Sequence, residues 1–287
     1  MYRYRLMNLK DKKRRITQVV CAVLYNSNFM GFMKGNIYKG DLKGMCVPGL
    51  NCYSCPGAIG ACPLGSLQSA LLNSKFKTPY YILGLLIIFG ALLGRVVCGF
   101  LCPFGLLQEL MDKLPTPKLK KNKITRALSY LKYIILIVMV IAIPLIKNYP
   151  AFCKFICPQG TLEGGIPLAI LNPRVRGMLG KLFTWKVYVL VVILIACAFI
   201  YRAFCRFICP LGALYGLFNR ISVFGVEVDE KKCIVCDKCV RHCKMDIKEV
   251  GDAECIACGE CSGVCPVDAI CYKKILSTVK ETKKHER

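Results

Sequence analysis

Four apolar stretches divide the first part of the chain, and each approaches the length needed to cross a bilayer. They cover residues 16–33, 80–97, 131–146 and 185–201. A hydrocarbon core of roughly 30 Å takes about 20 helical residues. The third and fourth stretches also hold long runs without a charged side chain, which is unusual for the core helix of a soluble protein because one of its faces meets water. The pattern predicts a mainly α fold with a four-span helical membrane domain.

The pattern changes after residue 222, where the long apolar stretches end. Residues 226–271 hold ten acidic side chains against six basic ones, and the apolar run 269–272 has the length of a short strand. We therefore predict three regions. They are a membrane domain over residues 1–222, a small α+β domain over residues 223–275, and a basic tail over residues 276–287.

Composition and charge agree with a membrane protein. The 287 residues are 55% hydrophobic, with a mean hydropathy of +0.47 and a formal net charge of +24. Because residues 226–271 are net acidic, the basic charge lies beside the apolar stretches. Residues 1–15 and 111–132 carry seven positive charges each, against five in 34–78 and six in 147–186. Since positive charge marks cytoplasmic loops, we predict a multi-pass protein of the cell membrane, embedded in the lipid bilayer, with cytoplasmic N- and C-termini and no nucleic-acid partner.

A cysteine motif, C-x3-C-P-x-G, follows three of the four apolar stretches, and a fragment ending in the same C-P-x-G precedes the second stretch. Proline and glycine turn the chain after the second cysteine, and cysteines four residues apart on a helical turn can reach one metal centre. A buried cysteine can also pack as a small apolar side chain, but repetition favours a metal. The candidate ligands are Cys98 and Cys102, Cys153 and Cys157, Cys205 and Cys209, with Cys62 in the fragment and Cys55 near it.

The charge pattern assigns these motifs to two faces of the membrane. It places the motifs at Cys98 and Cys205 at the cytoplasmic ends of the second and fourth spans, where four thiolates make a complete set for one iron–sulfur cluster. An arginine precedes each of these two motifs by three residues and would add positive charge beside the cluster; the two are Arg95 and Arg202. The motif at Cys153 falls on the outer face with the loop that holds the fragment. We predict a separation of about 30 Å between the inner and outer cysteines.

The C-terminal region carries the most specific pattern, because two runs read C-x2-C-x2-C-x3-C. This is the spacing of bacterial two-cluster ferredoxins, in which the fourth cysteine of each run ligates the other cluster. Zinc sites seldom use two runs of this form. We predict two [4Fe–4S] clusters, one on Cys233, Cys236, Cys239 and Cys265, and the other on Cys255, Cys258, Cys261 and Cys243.

These motifs together give the chain a resemblance to a known family. C-x3-C-P motifs after apolar stretches, followed by a double-cluster ferredoxin domain, look like the membrane-bound NapH/NosR-like polyferredoxins associated with nitrate and nitrous-oxide reduction. The resemblance covers roughly residues 80–270 and implies electron transfer with a redox partner protein. The cysteines of residues 34–78 and the third full motif exceed the two-motif pattern of that family.

We therefore expect an integral-membrane iron–sulfur protein that relays electrons between a soluble partner, its ferredoxin clusters, and a quinone or an outer-face partner. One or two further clusters in the membrane domain belong to this expectation. Glu109 and Glu163 are candidate carboxylates for quinone protonation, and solvated helix faces are the other interpretation of both. Two alternatives stay open: a membrane thiol–disulfide oxidoreductase that uses the outer cysteine pairs, and a cluster-bearing scaffold or assembly subunit of a larger redox complex.

Overall fold

The computed structural model describes residues 2–73, 80–119 and 121–273, and this part of the chain is mainly helical, as predicted. The predicted basic tail, residues 276–287, lies outside the described residues. The helices are α1 Tyr2–Tyr25, α2 Phe29–Lys34, α3 Pro63–Asn73, α4 Tyr80–Leu93, α5 Pro103–Asp112, α6 Lys123–Leu128, α7 Leu131–Ile135, α8 Ile143–Lys147, α9 Ala151–Phe155, α10 Ile166–Leu171, α11 Pro173–Gly177, α12 Lys181–Phe199, α13 Ala203–Phe207, α14 Pro210–Phe218 and α15 Lys238–His242. Wider π turns cover Val97–Leu101, Leu136–Ala142 and Gly160–Gly165, and 3₁₀ turns cover Asp41–Gly44 and Glu260–Gly263.

Two of the four predicted spans are helices long and apolar enough to cross a membrane. They are Lys123–Lys147, a run of 25 residues that includes α6, α7, a π turn and α8, and Lys181–Phe199, which is α12 and has 19 residues. The second predicted span forms the shorter apolar helix α4. The first is divided between α1 and α2, because polar residues 26–28 interrupt it. The described residues thus contain two span-length helices, and the four-span arrangement stays a prediction.

Each apolar helix that leads to a full cysteine motif ends near a residue with a left-handed backbone. These residues are Gly94 (φ 50°), Asn148 (φ 54°) and Arg202 (φ 50°). The left-handed region suits glycine and asparagine but costs an arginine roughly 1–2 kcal/mol. Arg202 is held there by its guanidinium, which donates to Glu109 Oε1 at 2.5 Å and to the Cys98 carbonyl at 2.6 Å. The chain therefore changes direction before each full motif.

The loop between α2 and α3 folds into the protein and joins the two groups of motifs. Leu50 is only 2% exposed, and its backbone N–H donates to the Cys102 thiol. The Leu50 carbonyl accepts a hydrogen bond from Gln159 Nε2 at 3.4 Å, two residues after Cys157. The prediction of a 30 Å separation between inner and outer cysteines is therefore wrong, because one loop residue contacts both motifs.

The C-terminal region packs directly on the preceding region, residues 1–222. Strands β1 Val226–Val228 and β2 Ile270–Tyr272 form an antiparallel pair within it. Its buried Ile256 belongs to the same apolar cluster as Cys98. A Cβ added at Gly99 would lie 2.4 Å from the Ile256 carbonyl oxygen, so only glycine permits this approach. The two predicted regions consequently share one core.

Candidate metal centres

The four cysteines of the two inner motifs are buried together. Cys98, Cys102, Cys205 and Cys209 are each at most 5% exposed, and Cys209 lies within electrostatic range of the other three thiols. Burial raises the pKa of Cys102 to about 12. Such a thiol loses its proton at neutral pH only when a metal takes the proton's place. The structure thus brings together the thiols that the sequence paired.

Two buried arginines bind the inner motifs reciprocally. Arg95 Nη2 donates to the Cys205 carbonyl at 3.3 Å, and Arg202 Nη1 donates to the Cys98 carbonyl at 2.6 Å. Both arginines are 0% exposed. Each belongs to one repeat and binds the other, so the guanidinium groups join the repeats and put positive charge beside the thiols. That charge favours the reduced, more negative state of a cluster.

The C-P-x-G motif also supplies hydrogen bonds to sulfur. Its proline is the first residue of a new helix, so the N–H groups of that first turn have no helical partner. The Gly212 N–H donates to Cys209 Sγ at 3.4 Å, and Gly105 donates in the same way to Cys102. Hydrogen bonds of this kind favour the thiolate and tune cluster potentials. The repeated glycine is therefore part of the sulfur environment as well as of the turn.

Glu109 lies in an ionic network behind the inner cysteines. It is 4% exposed, and its Oε1 accepts from Arg14 at 2.5 Å and from Arg202 at 2.5 Å. Burial alone would raise the pKa of Glu109, but the charges and hydrogen bonds of Arg202 and Arg14 outweigh it and lower the pKa to about 2. The carboxylate stays ionised at neutral pH. It is not a solvated surface group, so that interpretation of Glu109 is wrong, and its part in quinone protonation stays a prediction.

The C-terminal region holds the two predicted ferredoxin sets in different surroundings. One narrow cavity is lined by Cys243, Cys255, Cys258 and Cys261, and burial raises the pKa of Cys258 to about 12. The other set is nearer the surface: Cys233 is exposed, Cys236 and Cys239 are half-buried, and Cys265 is buried. Cys239 packs against the small apolar cluster that contains Cys265. Cys243 thus lies with the second run, as crossed ligation requires, and the full ligand sets stay a prediction.

Among the described residues, no group of three or more His, Cys, Asp or Glu side chains is placed to hold a single metal ion. The expectation of iron–sulfur clusters at these thiols rests on the cysteine spacing.

The loop at residues 253–256, called the ferredoxin loop below, is in direct contact with the inner motifs. Arg95 Nη1 donates to the Ala253 carbonyl and to Glu254 Oε2, both at 2.8 Å. Asn219 Nδ2 donates to the carbonyl of Cys255 at 2.9 Å. Arg95 is the same residue that binds the Cys205 carbonyl. One buried side chain thus connects a predicted ferredoxin cluster to the inner cysteines.

The outer cysteines surround a separate cavity of about 550 Å³, lined by Cys52, Cys62, Cys153 and Cys157. Cys55, which the sequence placed in this group, does not line it. The Cys55 thiol is 1% exposed and donates to Asn26 Oδ1 at 3.4 Å. Cys52 lines the cavity in place of Cys55.

Glu163 contacts Cys52, which lines this cavity, and differs from Glu109. Its Oε2 accepts the Cys52 N–H at 3.2 Å. Burial raises the pKa of Glu163 to about 7. Among the described contacts no arginine is paired with this carboxyl to oppose the effect of burial. This carboxyl gains and loses a proton near neutral pH and remains the candidate proton group.

Several contributing residues were not identified from the sequence. Gln108 Nε2 donates to Cys205 Sγ at 2.9 Å. The sequence feature that could have identified Gln108 is the Leu-Gln pair, which occurs at residues 67–68 and again at 107–108. Arg14 is one of seven basic residues near the N-terminus, and nothing in the sequence sets it apart. Its burial depends on the packing of α1 against the motifs.

Comparison with known proteins agrees with this geometry. The family model described as a 4Fe–4S binding domain matches residues 78–122, 131–166 and 183–228, and each segment contains one full C-x3-C-P motif. Two uncharacterized proteins of Methanocaldococcus jannaschii are 34% and 30% identical, over 64% and 65% of this chain and 65% and 74% of their own lengths. YccM of Escherichia coli, named for electron transport, is 27% identical over 62% of this chain and 49% of its own length.

Relatives with ferredoxin names extend the same match. The ferredoxin-type protein NapH of Escherichia coli is 26% identical over 63% of this chain and 59% of its own length. No solved structure matches the chain. The repeated 4Fe–4S segments define an iron–sulfur protein. The chain belongs to the family of 4Fe–4S proteins that includes the ferredoxin-type protein NapH.

Proposed function

We propose that the protein is an integral-membrane electron carrier that passes single electrons from a soluble partner through its two ferredoxin clusters to a cluster on the inner cysteines. From there the electrons reach a quinone or an outer-face redox partner. The proposed ligands are the eight ferredoxin cysteines and Cys98, Cys102, Cys205 and Cys209. Each cluster supplies a one-electron couple, and the chain's own residues hold the sulfurs, exclude water and set the local charge.

The observation that carries this proposal is the contact between the ferredoxin loop and the inner motifs. Arg95 binds Glu254 and Ala253 on one side and the Cys205 carbonyl on the other. The approach of Ile256 to Gly99 brings the two backbones together. Carriers held by backbones in contact need no mobile intermediate between them.

The test is the iron–sulfur content of protein purified without oxygen, measured with its EPR spectrum. Cys98→Ser and Cys205→Ser should abolish the same signal and leave the two ferredoxin clusters in place. Cys271→Ser, which changes an exposed thiol on β2, should keep every signal. Loss of different signals in the two motif variants would contradict a shared centre.

The membrane placement is part of the proposal and is supported by the two span-length helices and the charge pattern. Four spans with cytoplasmic termini require reporter fusions after residues 120 and 287 to indicate the cytoplasm. A fusion after Met178, which is 85% exposed, should indicate the outside. A cytoplasmic result at residue 178 would contradict the four-span orientation.

The thiol–disulfide oxidoreductase is retained as a second candidate because of one observation. The thiols of Cys153 and Cys157 are hydrogen-bonded to each other, which is the proximity that a reactive pair needs. This function predicts two thiols that oxidise and reduce reversibly, with no iron at that site. Thiol counting on denatured protein, with and without prior reduction, distinguishes it from the carrier.

A further inference from the structure

The cysteines around the outer cavity repeat the arrangement of the inner four. Helices α3 and α5 begin at equivalent prolines, Pro63 and Pro103, directly after a motif cysteine. Gln108 on α5 donates its amide to Cys205 Sγ at 2.9 Å. Gln68, at the same place on α3, donates its amide to Cys153 Sγ at 3.4 Å. Both glutamines are 0% exposed, so each is a buried donor aimed at the first cysteine of the partner motif.

The glycine hydrogen bonds are repeated as well. The Gly65 N–H donates to the Cys62 thiol, and the Gly160 N–H donates to the Cys157 thiol. These bonds correspond to those of Gly105 and Gly212 in the inner group. The fragment at Cys62 therefore keeps the sulfur environment of a full motif, although its sequence lacks the cysteine four residues earlier.

The missing cysteine is replaced from elsewhere in the loop. The position four residues before Cys62 is Ala58, which is buried and brings no ligand. A Cβ added at Gly160 would lie 3.7 Å from Cys52 Sγ and 3.8 Å from Cys157 Sγ, so these sulfurs flank one point. A Cβ added at Gly65 would lie 3.9 Å from Cys153 Sγ. Gly65 thus lies close to both Cys153 and Cys62, as Gly160 lies close to both Cys52 and Cys157.

The surroundings suit an anionic cluster in contact with the inner centre. Lys43 and Lys186 line the cavity with the four thiols, and Lys186 Nζ lies 3.7 Å from the same point beside Gly160. The buried Leu50 contacts Cys102 and Gln159. Tyr215, also buried, lies within electrostatic range of Cys98 and Cys62. The cavity and the inner centre are therefore neighbours.

We infer that Cys52, Cys62, Cys153 and Cys157 ligate an additional [4Fe–4S] cluster, which exchanges single electrons with the inner centre. Cys55, whose thiol is bound to Asn26, is not a ligand. The cluster accepts one electron from the reduced inner centre and returns one electron to it or to the outer partner, so no bond is made or broken. The electron exchange rests on the proposed function, whereas the site itself does not, because each set of cysteines is read out separately.

The experiment is iron and acid-labile sulfide analysis of full-length protein purified without oxygen, with EPR on the same samples. Cys52→Ser and Cys62→Ser should each lose about four iron and four sulfide per chain relative to the unchanged protein. The matched control Cys55→Ser, in the same loop, should keep the full content. Persistence of the ferredoxin and inner signals in Cys52→Ser shows that the variant is folded.

Three outcomes would overturn the inference. Full iron content in Cys52→Ser, or loss of iron in Cys55→Ser, would refute the ligand set. Two thiols that become countable only after reduction, in protein with no iron lost on Cys62→Ser, would show a disulfide instead of a cluster. An inner signal that persists in Cys98→Ser would contradict the proposed function and would leave this site unaffected.

Discussion

At the scale of single residues, the protein uses buried amides to control sulfur. Gln108 and Gln68 lie at equivalent positions on two helices, and each donates to a different cysteine group. A hydrogen bond to an ionised sulfur stabilises the more negative state more than the less negative one. The same residue in two repeats should therefore tune two centres independently.

Gln108→Leu tests this control. Loss of the N–H donor should make the midpoint potential of the inner centre more negative by tens of millivolts, given that ~59 mV corresponds to a tenfold change for a one-electron couple. Redox titration followed by EPR measures the shift. Gln68→Leu is the matched control, and it should leave the inner potential unchanged. An inner potential that moves equally in both variants would contradict independent tuning.

The buried carboxylate of Glu109 gives a second prediction at this scale. Arg202 and Arg14 outweigh the cost of burial and hold the pKa of Glu109 at about 2, below its usual 4.5. A lowered pKa stabilises the fold above pH 4.5 and loses that effect as the pH falls towards 2. Glu109→Gln should therefore destabilise the protein at pH 7 by about 3 kcal/mol.

Thermal denaturation at pH 7 measures this loss. The control is Glu249→Gln, because Glu249 pairs with Arg220 where both side chains are more than half exposed. An exposed ion pair contributes about 0–1 kcal/mol. Equal melting temperatures for Glu109→Gln and the unchanged protein would show that the ion pairs of Glu109 with Arg14 and Arg202 do not stabilise the fold.

At the scale of elements, the Val97–Leu101 turn packs closely against the ferredoxin loop, and this contact positions the C-terminal region. Gly99→Ala would place a methyl group 2.4 Å from the Ile256 carbonyl, so the loop must move away. We expect severalfold slower reduction of the inner centre, with both ferredoxin clusters retained. Rapid-freeze EPR after mixing with reductant measures the rate.

The matched control for this change is Gly84→Ala on α4. A Cβ at Gly84 meets nothing within 4 Å, and alanine favours helix over glycine. Its reduction rate should equal that of the unchanged protein. An unchanged rate in Gly99→Ala would mean that electrons do not cross at this contact.

The same elements show what could be predicted from the sequence. Cysteines three or four residues apart carry their geometry locally, so the pairing of the inner motifs follows from spacing and symmetry. The position of Cys52 does not, because it depends on the infolding of a loop. Tyr215 fixes that loop by donating to the Pro48 carbonyl at 2.9 Å, a contact between residues far apart in the chain. Propensity and periodicity contain no information about such a contact.

At the scale of the whole molecule, three cysteine groups adjoin one another. The inner motifs contact the ferredoxin loop near Cys255 and, through Leu50, the motif at the cavity of Cys52 and Cys157. Direct contacts through Arg95 and Leu50 join successive groups. This series replaces the gap of about 30 Å that the charge pattern suggested.

Continuity leads to the last prediction, which concerns electron passage without quinone. In liposomes that lack menaquinone, a soluble reductant acting on the ferredoxin side should reduce all centres in succession, the outer one included. The physical reason is that Leu50 contacts both Cys102 and Gln159, so no mobile carrier is needed between the groups. Addition of menaquinone should change only the rate at which electrons leave the protein.

The measurement is time-resolved EPR on sealed vesicles with protein in one orientation. An outer centre that stays oxidised until menaquinone is added would show that the series is interrupted at Leu50.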